Sequence, residues 1–422
     1  MRCLFLFAIS LCVLFEPAIT VAVTDDTMTG VFNDRFRSLQ IQVAENPLAP
    51  PIINLGAGDR VIISFDELAE DRHYLRYSLT HCNADWRPSQ LVELEYLDGF
   101  NQGDVTDYEF SRATTVHYVH YSITLPNEQM RFTVSGNYLL KVWDEERPDE
   151  ILLQARFMVN EGGADIAGDV TSRTDIDYNK AHQQLSVVVD AERAFVSDPF
   201  NDLIVSVSQD GRSDNNIVMR QPLRVSGKRA FYEHQRQLIF PAGNEYRRFE
   251  TVSTSFPGMG VDEISYYEPY YHFKLATDSP RSDGSYNYDQ TQFGRYTIRE
   301  YNSANSDTEA DYVVTHFTLD MPHRTDVDIF LDGDFTSRRF DPESRMVFNR
   351  ATGLYERSML LKQGAYNYQY LAVPAGGTVG YTAPVEGDYF PTVNEYVVTV
   401  YHRAPASRYD RLIGATVIYS GR

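Results

Sequence analysis

Residues 118–127 read YVHYSITLPN, and the fold class turns on their period. Val119, Tyr121, Ile123 and Leu125 are apolar and alternate with His120, Ser122 and Thr124. A period of two puts every second side chain on one face, which describes a half-buried strand; a helix would need apolar residues every three or four positions. Pro126-Asn127 then ends the run with turn chemistry. The same pattern recurs along the chain. Leu185, Val187 and Val189 share a face, as do Leu203, Val205 and Val207. Val327, Ile329 and Leu331 alternate with acidic residues, and Ile413, Ala415, Val417 and Tyr419 close the chain. Ser135-Gly136-Asn137, Asp210-Gly211, Asp332-Gly333 and Gly376-Gly377 supply further turns. No convincing amphipathic helix of ten or more residues interrupts the series. The expected class is all-β, with immunoglobulin-like β-sandwiches in series.

The 422 residues are enough for two to four domains of about 100–200 residues each. Apolar residues make up 43% and aromatics 13%, so cores can be buried. The first 22 residues read MRCLFLFAISLCVLFEPAITVA. A lone early Arg2, an apolar run and a small-residue end describe a secretory signal peptide. No later segment is long and apolar enough to span a bilayer as a helix. The mature chain is therefore expected to be exported and soluble, with Cys82 as its only cysteine and no internal disulfide. ARFMVNEGGADIAG, residues 155–168, reads as a last strand running into a Gly-rich linker. The expected domains are residues 23–162, 163–319 and 320–422.

A formal net charge of −21 and the lack of a Lys/Arg cluster argue against nucleic acid as a partner. HCNADW, residues 81–86, gathers a histidine, a cysteine, an aspartate and a tryptophan. His81 and Cys82 are adjacent, so on a strand they face opposite ways. No CxxC or HxxxH spacing adds ligands, and a thiol nucleophile needs a partnered base. The plain reading is a small buried thiol, a turn over Asp85–Pro88, and Trp86 as an aromatic plug over the sandwich end. YYEPYYHFKL, residues 266–275, offers Tyr267 and Tyr271 as an aromatic platform on one strand face, or else an edge strand that tolerates Pro269. The pairs Asp326/Asp328 and Asp332/Asp334 lack the fuller oxygen set of a calcium loop, and spacing alone shows no pair of carboxylates across a cleft. GxSxG, HExxH, P-loop and dinucleotide fingerprints are absent. Catalysis is disfavoured, and no cofactor or metal is expected.

An ordered set of phrases carries a resemblance. HCNADWRPSQL, EYLDGF, HYVHYSITLPN, SGNYLLKVW and ARFMV come first, followed by FPAGNEYRRFE and EADYVVTHFTL. DIFLDGDF, LLKQGAYNYQYLAV, VNEYVVTVYHR and DRLIG complete it. The set resembles the type IX secretion system plug protein family of the Bacteroidetes, formerly a domain of unknown function. Its carriers are His81, Cys82, Asn83, Asp85, Trp86 and Ser89, with Tyr96 and Gly99. Ser135, Gly136, Asn137 and Tyr138 follow, then Gly243, Asn244 and Glu245. Gly364, Tyr366 and Tyr368, with Asn394, Glu395 and Tyr396, are the last. These positions are read as structural. Residues 336–346, TSRRFDPESRM, depart from the pattern. The resemblance implies a periplasmic protein, associated with the outer membrane. Its partner would be the translocon barrel, whose periplasmic end it closes by surface contact without chemistry. The last domain is also similar to glycogen-binding carbohydrate modules. However, Arg338, Arg339 and Phe340 stand where those modules carry a stacking Trp. A periplasmic carbohydrate-binding protein, presenting Tyr366, Tyr368 and Tyr370, is the alternative reading.

Overall fold

The computed structural model describes residues 27–421. The expected signal peptide lies outside them. Among the described residues the α-helices are two single turns, Glu93–Tyr96 and Ser306–Glu309. The rest of the regular structure is almost entirely strand, so the chain is all-β and built from β-sandwiches. No helix of the described residues is long and apolar enough to cross a membrane.

The strand Val119–Leu125 follows its pattern: Val119, Tyr121, Ile123 and Leu125 are buried and the intervening side chains are not. It lies antiparallel to Val61–Glu67, in a sheet ordered Phe36–Val43, Val61–Glu67, Val119–Leu125, Asp107–Phe110. The facing sheet runs Gly30–Val31, Arg147–Asn160, Gly136–Asp144, Leu75–Cys82, Gly103–Asp104. Ile52–Asn54 lies parallel to Arg147–Asn160. The two inner faces enclose one core, with Phe65, Tyr121, Tyr138 and Phe157 at its centre.

The second sandwich starts with a sheet ordered Asp165–Thr171, His182–Asp190, Arg229–Tyr232, Arg224–Ser226. Its other sheet runs Ile217–Met219, Leu203–Gln209, Glu395–His402, Arg411–Tyr419. The last two strands of the chain thus return to the second sandwich, where Tyr396, Val398, Val400 and Ile413 join the core of Leu185, Val187 and Val205. Between them is inserted a third sandwich. One of its sheets joins Arg247–Glu250, Gly364–Pro374 and Tyr296–Ile298, with Val327–Asp332 also paired to Gly364–Pro374. The other runs Val261–Tyr267, Tyr270–Leu275, Tyr312–Leu319, Leu354–Lys362, Val347–Asn349. The ends of the insert meet, because Asn394 Nδ2 donates to the Ala242 carbonyl at 2.8 Å.

The expected boundary between residues 319 and 320 is therefore corrected. Tyr312–Leu319 ends no domain; it pairs along its whole length with Leu354–Lys362 in the middle of a sheet. Residues 395–419 belong to the second core. Alternation shows which face of a strand is buried, but not which distant strand completes the sheet.

Candidate functional site

His81 and Cys82 end the strand Leu75–Cys82, opposite Tyr138 and Asn137 in register, and point to opposite faces. The His81 ring is buried against Tyr138 and Tyr96, edge-on to the former at 5.1 Å. Its Nδ1 lies 2.8 Å from Ser89 Oγ and its Nε2 3.1 Å from the Ser135 carbonyl. Burial holds its pKa below the usual imidazole value. Gly136 permits this approach, since a Cβ there would lie 2.3 Å from His81 Nε2. Gly99, at φ +124°, similarly leaves no room for a Cβ against the Gln129 carbonyl. Cys82 has no exposed surface, and burial pushes its thiol up to about 12. A thiol held neutral is no nucleophile.

The turn that follows was expected over Asp85–Pro88. It is closed by Asn83 N donating to the Arg87 carbonyl at 2.9 Å and Trp86 N donating to the Asn83 carbonyl at 2.9 Å. Arg87 N donates to Asp85 Oδ1. Trp86 is not a plug. It sits half-buried at φ +63°, with the Arg156 guanidinium 4.5 Å above its ring. The left-handed turn swings it away from the sandwich end, whose interior Tyr96 and Tyr138 already fill.

The turn's role is to join two sandwiches. Ala84 packs with Ile204, Tyr401 and Leu412 of the second sandwich, against Met158. Ala84 N donates to Asp410 Oδ2 at 3.0 Å. Tyr401 OH donates to Asn137 Oδ1 at 2.7 Å, and Asn137 Nδ2 donates to the Asn83 carbonyl at 2.9 Å. Ser135 Oγ donates to Glu161, which also pairs with Arg411.

The later motif residues sit where the insert meets its host. Asn244 Nδ2 donates to the Glu386 carbonyl at 2.8 Å. Glu245 accepts from Tyr286 OH at 2.6 Å and from Val393 N, with burial raising its pKa. Gly243 N donates to Asp388, whose pKa burial raises. Asn394 Nδ2 and Tyr396 OH both donate to Gln183 Oε1. Glu395, nearly inaccessible, pairs with Arg295 of the insert at 2.5 Å. Beside it Asp210 Oδ1 accepts from Glu395 N at 2.7 Å, and burial pushes the Asp210 carboxyl up to about 7.

Tyr366, Tyr368 and Tyr370 are core of the third sandwich, so none is a platform for sugar stacking. Tyr366 OH donates to the Lys362 carbonyl, while Tyr368 and Tyr370 both donate to Asp278 at 2.8 Å. Gly364 opens this strand where a Cβ would meet the Thr297 carbonyl at 2.5 Å.

The aromatic stretch 266–275 is a hairpin. Tyr266 pairs with Tyr271 and Tyr267 with Tyr270, so Tyr267 and Tyr271 lie on opposite faces. The turn at Glu268-Pro269 reverses the chain between them and resets the parity. The acidic pairs are taken up by arginines: Asp326 by Arg324, Asp328 by Arg345, and both Asp332 and Asp334 by Arg338. Among the described residues no group of three or more His, Cys, Asp or Glu is placed to hold a metal.

The sequence reading missed the seam between the first and third sandwiches. Asp66 faces outward from the first core, yet it is fully buried because the third sandwich covers it. Lys362 Nζ reaches it at 2.5 Å, His120 Nδ1 at 2.6 Å and Tyr312 OH at 2.7 Å. Burial pushes the Asp66 pKa up, but Lys362 and His120 outweigh it and hold the carboxyl below its usual value. Asp311 of the third sandwich accepts from Thr115 and Val116 of the first. The available signal was an acidic pair, Asp66-Glu67, at the end of an apolar strand. Where the three sandwiches meet they leave a cavity of about 300 Å³, with Trp86 and Arg156, Ser206 and Thr399, and Arg295 and Arg338 among its walls.

Residues 36–161 match a family model described as "Type 9 secretion system plug protein 1st domain". A crystal structure of a hypothetical protein from Parabacteroides merdae is similar along nearly the whole chain. It is 42% identical with a TM-score of 0.92, over 93% of this chain and 99% of that one. An alkylpurine DNA glycosylase from Pseudomonas fluorescens reaches only 13% identity and a TM-score of 0.17, over 30% of each chain, and carries no argument. No curated protein matches.

Proposed function

The chain belongs to the type IX secretion system plug protein family, and from that premise we propose that it binds the translocon barrel of that system in the outer membrane and closes its periplasmic end. The reading is of a gate made by surface contact between folded proteins, without chemistry. The match of residues 36–161 to the plug's first domain carries it. The architecture supports it: a gate must resist deformation, and the seams between sandwiches carry buried ion pairs such as Asp66–Lys362 and Glu395–Arg295. A standard protein interface covers roughly 800 Å² per partner, an area that a body of three sandwiches can present.

The test is a pull-down of the tagged protein from outer-membrane extracts of cells arrested with and without secretion substrate. Co-purification of the barrel in the idle state, reduced while substrate passes, is expected. Absence of the barrel in both states overturns the reading. Osmotic-shock fractionation should place the protein in the periplasm, sedimenting in part with outer membrane.

A further inference from the structure

A second cleft, of about 220 Å³, lies between the first and third sandwiches. Arg37 and Ser38 line it from the first sandwich, and Arg357 and Ser358 from the third, over a floor that includes Tyr296 and Tyr366. We propose that this cleft binds a small oxyanion, a phosphate or a carboxylate, between Arg37 and Arg357.

The first observation is charge without a counter-charge. Neighbouring arginines are paired: Arg35 with Glu67, Arg339 with Asp341 and Arg345 with Asp328. Neither Arg37 nor Arg357 has a carboxylate partner among the described residues. Arg37 Nη1 donates only to the adjacent Phe36 carbonyl, at 2.9 Å. The Arg357 Nε is buried and has no hydrogen-bond partner at all. A buried guanidinium nitrogen left unsatisfied is costly, and in a chain of net charge −21 internal carboxylates are plentiful. The carboxylate at the cleft, Glu343, is exposed at the rim and forms no ion pair with either arginine.

The second observation is where Arg357 points. It lies opposite Phe317 in the pairing of Leu354–Lys362 with Tyr312–Leu319. Phe317 is core, so this position belongs to the inward, apolar face of the sheet. A guanidinium there has no packing reason that a methionine would not meet better.

The third is backbone geometry. Ser38 has φ +54°, and the pairing of its strand with Val61–Glu67 slips between Arg37 and Gln40. A bulge of this kind re-aims the side chains beside it, and left-handed strain at a non-glycine residue collects at binding sites. Ser38 Oγ also lies 2.7 Å from Tyr312 OH, which donates to Asp66. The cleft is thereby continuous with the buried clasp of the seam, and an anion bound by both arginines would brace the two sandwiches together. Two guanidinium forks suit a tetrahedral or planar oxyanion.

The full-length protein is titrated with sodium phosphate, and separately with sodium succinate, against sodium chloride at matched ionic strength, with Tm as readout. Wild type should rise by about 2–4 °C at saturation in at least one of the two, and the arm that gives the rise identifies the anion. Arg357→Met should abolish the rise while its Tm in chloride equals or exceeds wild type, because the unsatisfied guanidinium is gone. Arg37→Gln should reduce the rise several-fold and keeps the test available if Arg357→Met does not fold. No rise in either arm overturns the proposal. So does an equal rise in wild type and both variants, which would be the general stabilisation of compact states by an excluded, kosmotropic anion. An Arg357→Met protein with lowered Tm and an undiminished rise overturns it too, since the guanidinium would then serve packing.

Discussion

At the scale of the residue, Cys82 and Trp86 show how one short turn separates two fates. Cys82 ends its strand and is fully enclosed. It should remain unmodified by a maleimide in the native protein and react completely in denaturant; rapid native labelling would contradict the burial. Trp86 lies four residues further on, beyond a left-handed corner, and is only half-buried under Arg156. Its change to Ala should cost about 1–2 kcal/mol by chemical denaturation, rather than the roughly 3–5 kcal/mol of a core aromatic. Asp210 has the opposite character: a buried carboxyl beside Glu395, raised to about 7. A folded-state pKa above the unfolded value of about 3.9 means the native state prefers the proton. This group's contribution is then present at acid pH and is lost as pH rises from about 4 to about 7. Asp210→Asn keeps the acceptor for Glu395 N and never ionises. It should be more stable than wild type by about 2–4 kcal/mol at pH 8 and near neutral in effect at pH 4, measured by urea denaturation at both values.

At the scale of the element, the strands Val61–Glu67 and Val119–Leu125 have two useful faces. Their inward residues were readable from alternation alone, because a half-buried strand writes its period into the sequence. Their outward residues Asp66 and His120 looked like ordinary polar surface. They are a clasp, because Leu354–Lys362 brings a lysine onto them from a sandwich nearly 300 positions away. Lys362→Met should leave Asp66 buried with only the contacts of His120 and Tyr312, and cost about 3–5 kcal/mol. Adding Asp66→Asn should restore most of that loss; a double variant as unstable as the single would show that the two groups do not act as a pair. The hairpin at 261–275 gives the same lesson in reverse. Its tyrosines were visible, but their faces were not, because a turn at Glu268-Pro269 resets the parity that a continuous strand would keep.

At the scale of the whole molecule, the third sandwich is an insertion, and the chain's last strands complete the second. Truncation after Asn394 removes Glu395–His402 and Arg411–Tyr419 and leaves Leu203–Gln209 with an open edge and half a core. Such a chain should aggregate or elute as a swollen species in size-exclusion chromatography. A compact monomer with an unchanged unfolding transition would contradict the topology. The plug reading belongs at this scale also, since it depends on three sandwiches behaving as one body and not on any single side chain.

Sequence alone determined the class. Period-two runs, turn residues between them and the lack of long amphipathic stretches fix strands locally, because strand burial is a property of neighbouring residues. It also argued against a reactive centre at His81-Cys82, since adjacent strand residues face opposite ways. The ordered motif phrases carried the family resemblance, and some of their residues are joints: Asn83 and Asn137 toward the second sandwich, Asn244 and Glu395 toward the third. Only the tertiary structure decided that, together with the return of residues 395–419 and the burial of Asp66. Sheet completion and domain docking match residues hundreds of positions apart, and their free energy comes from complementary surfaces that no local period records.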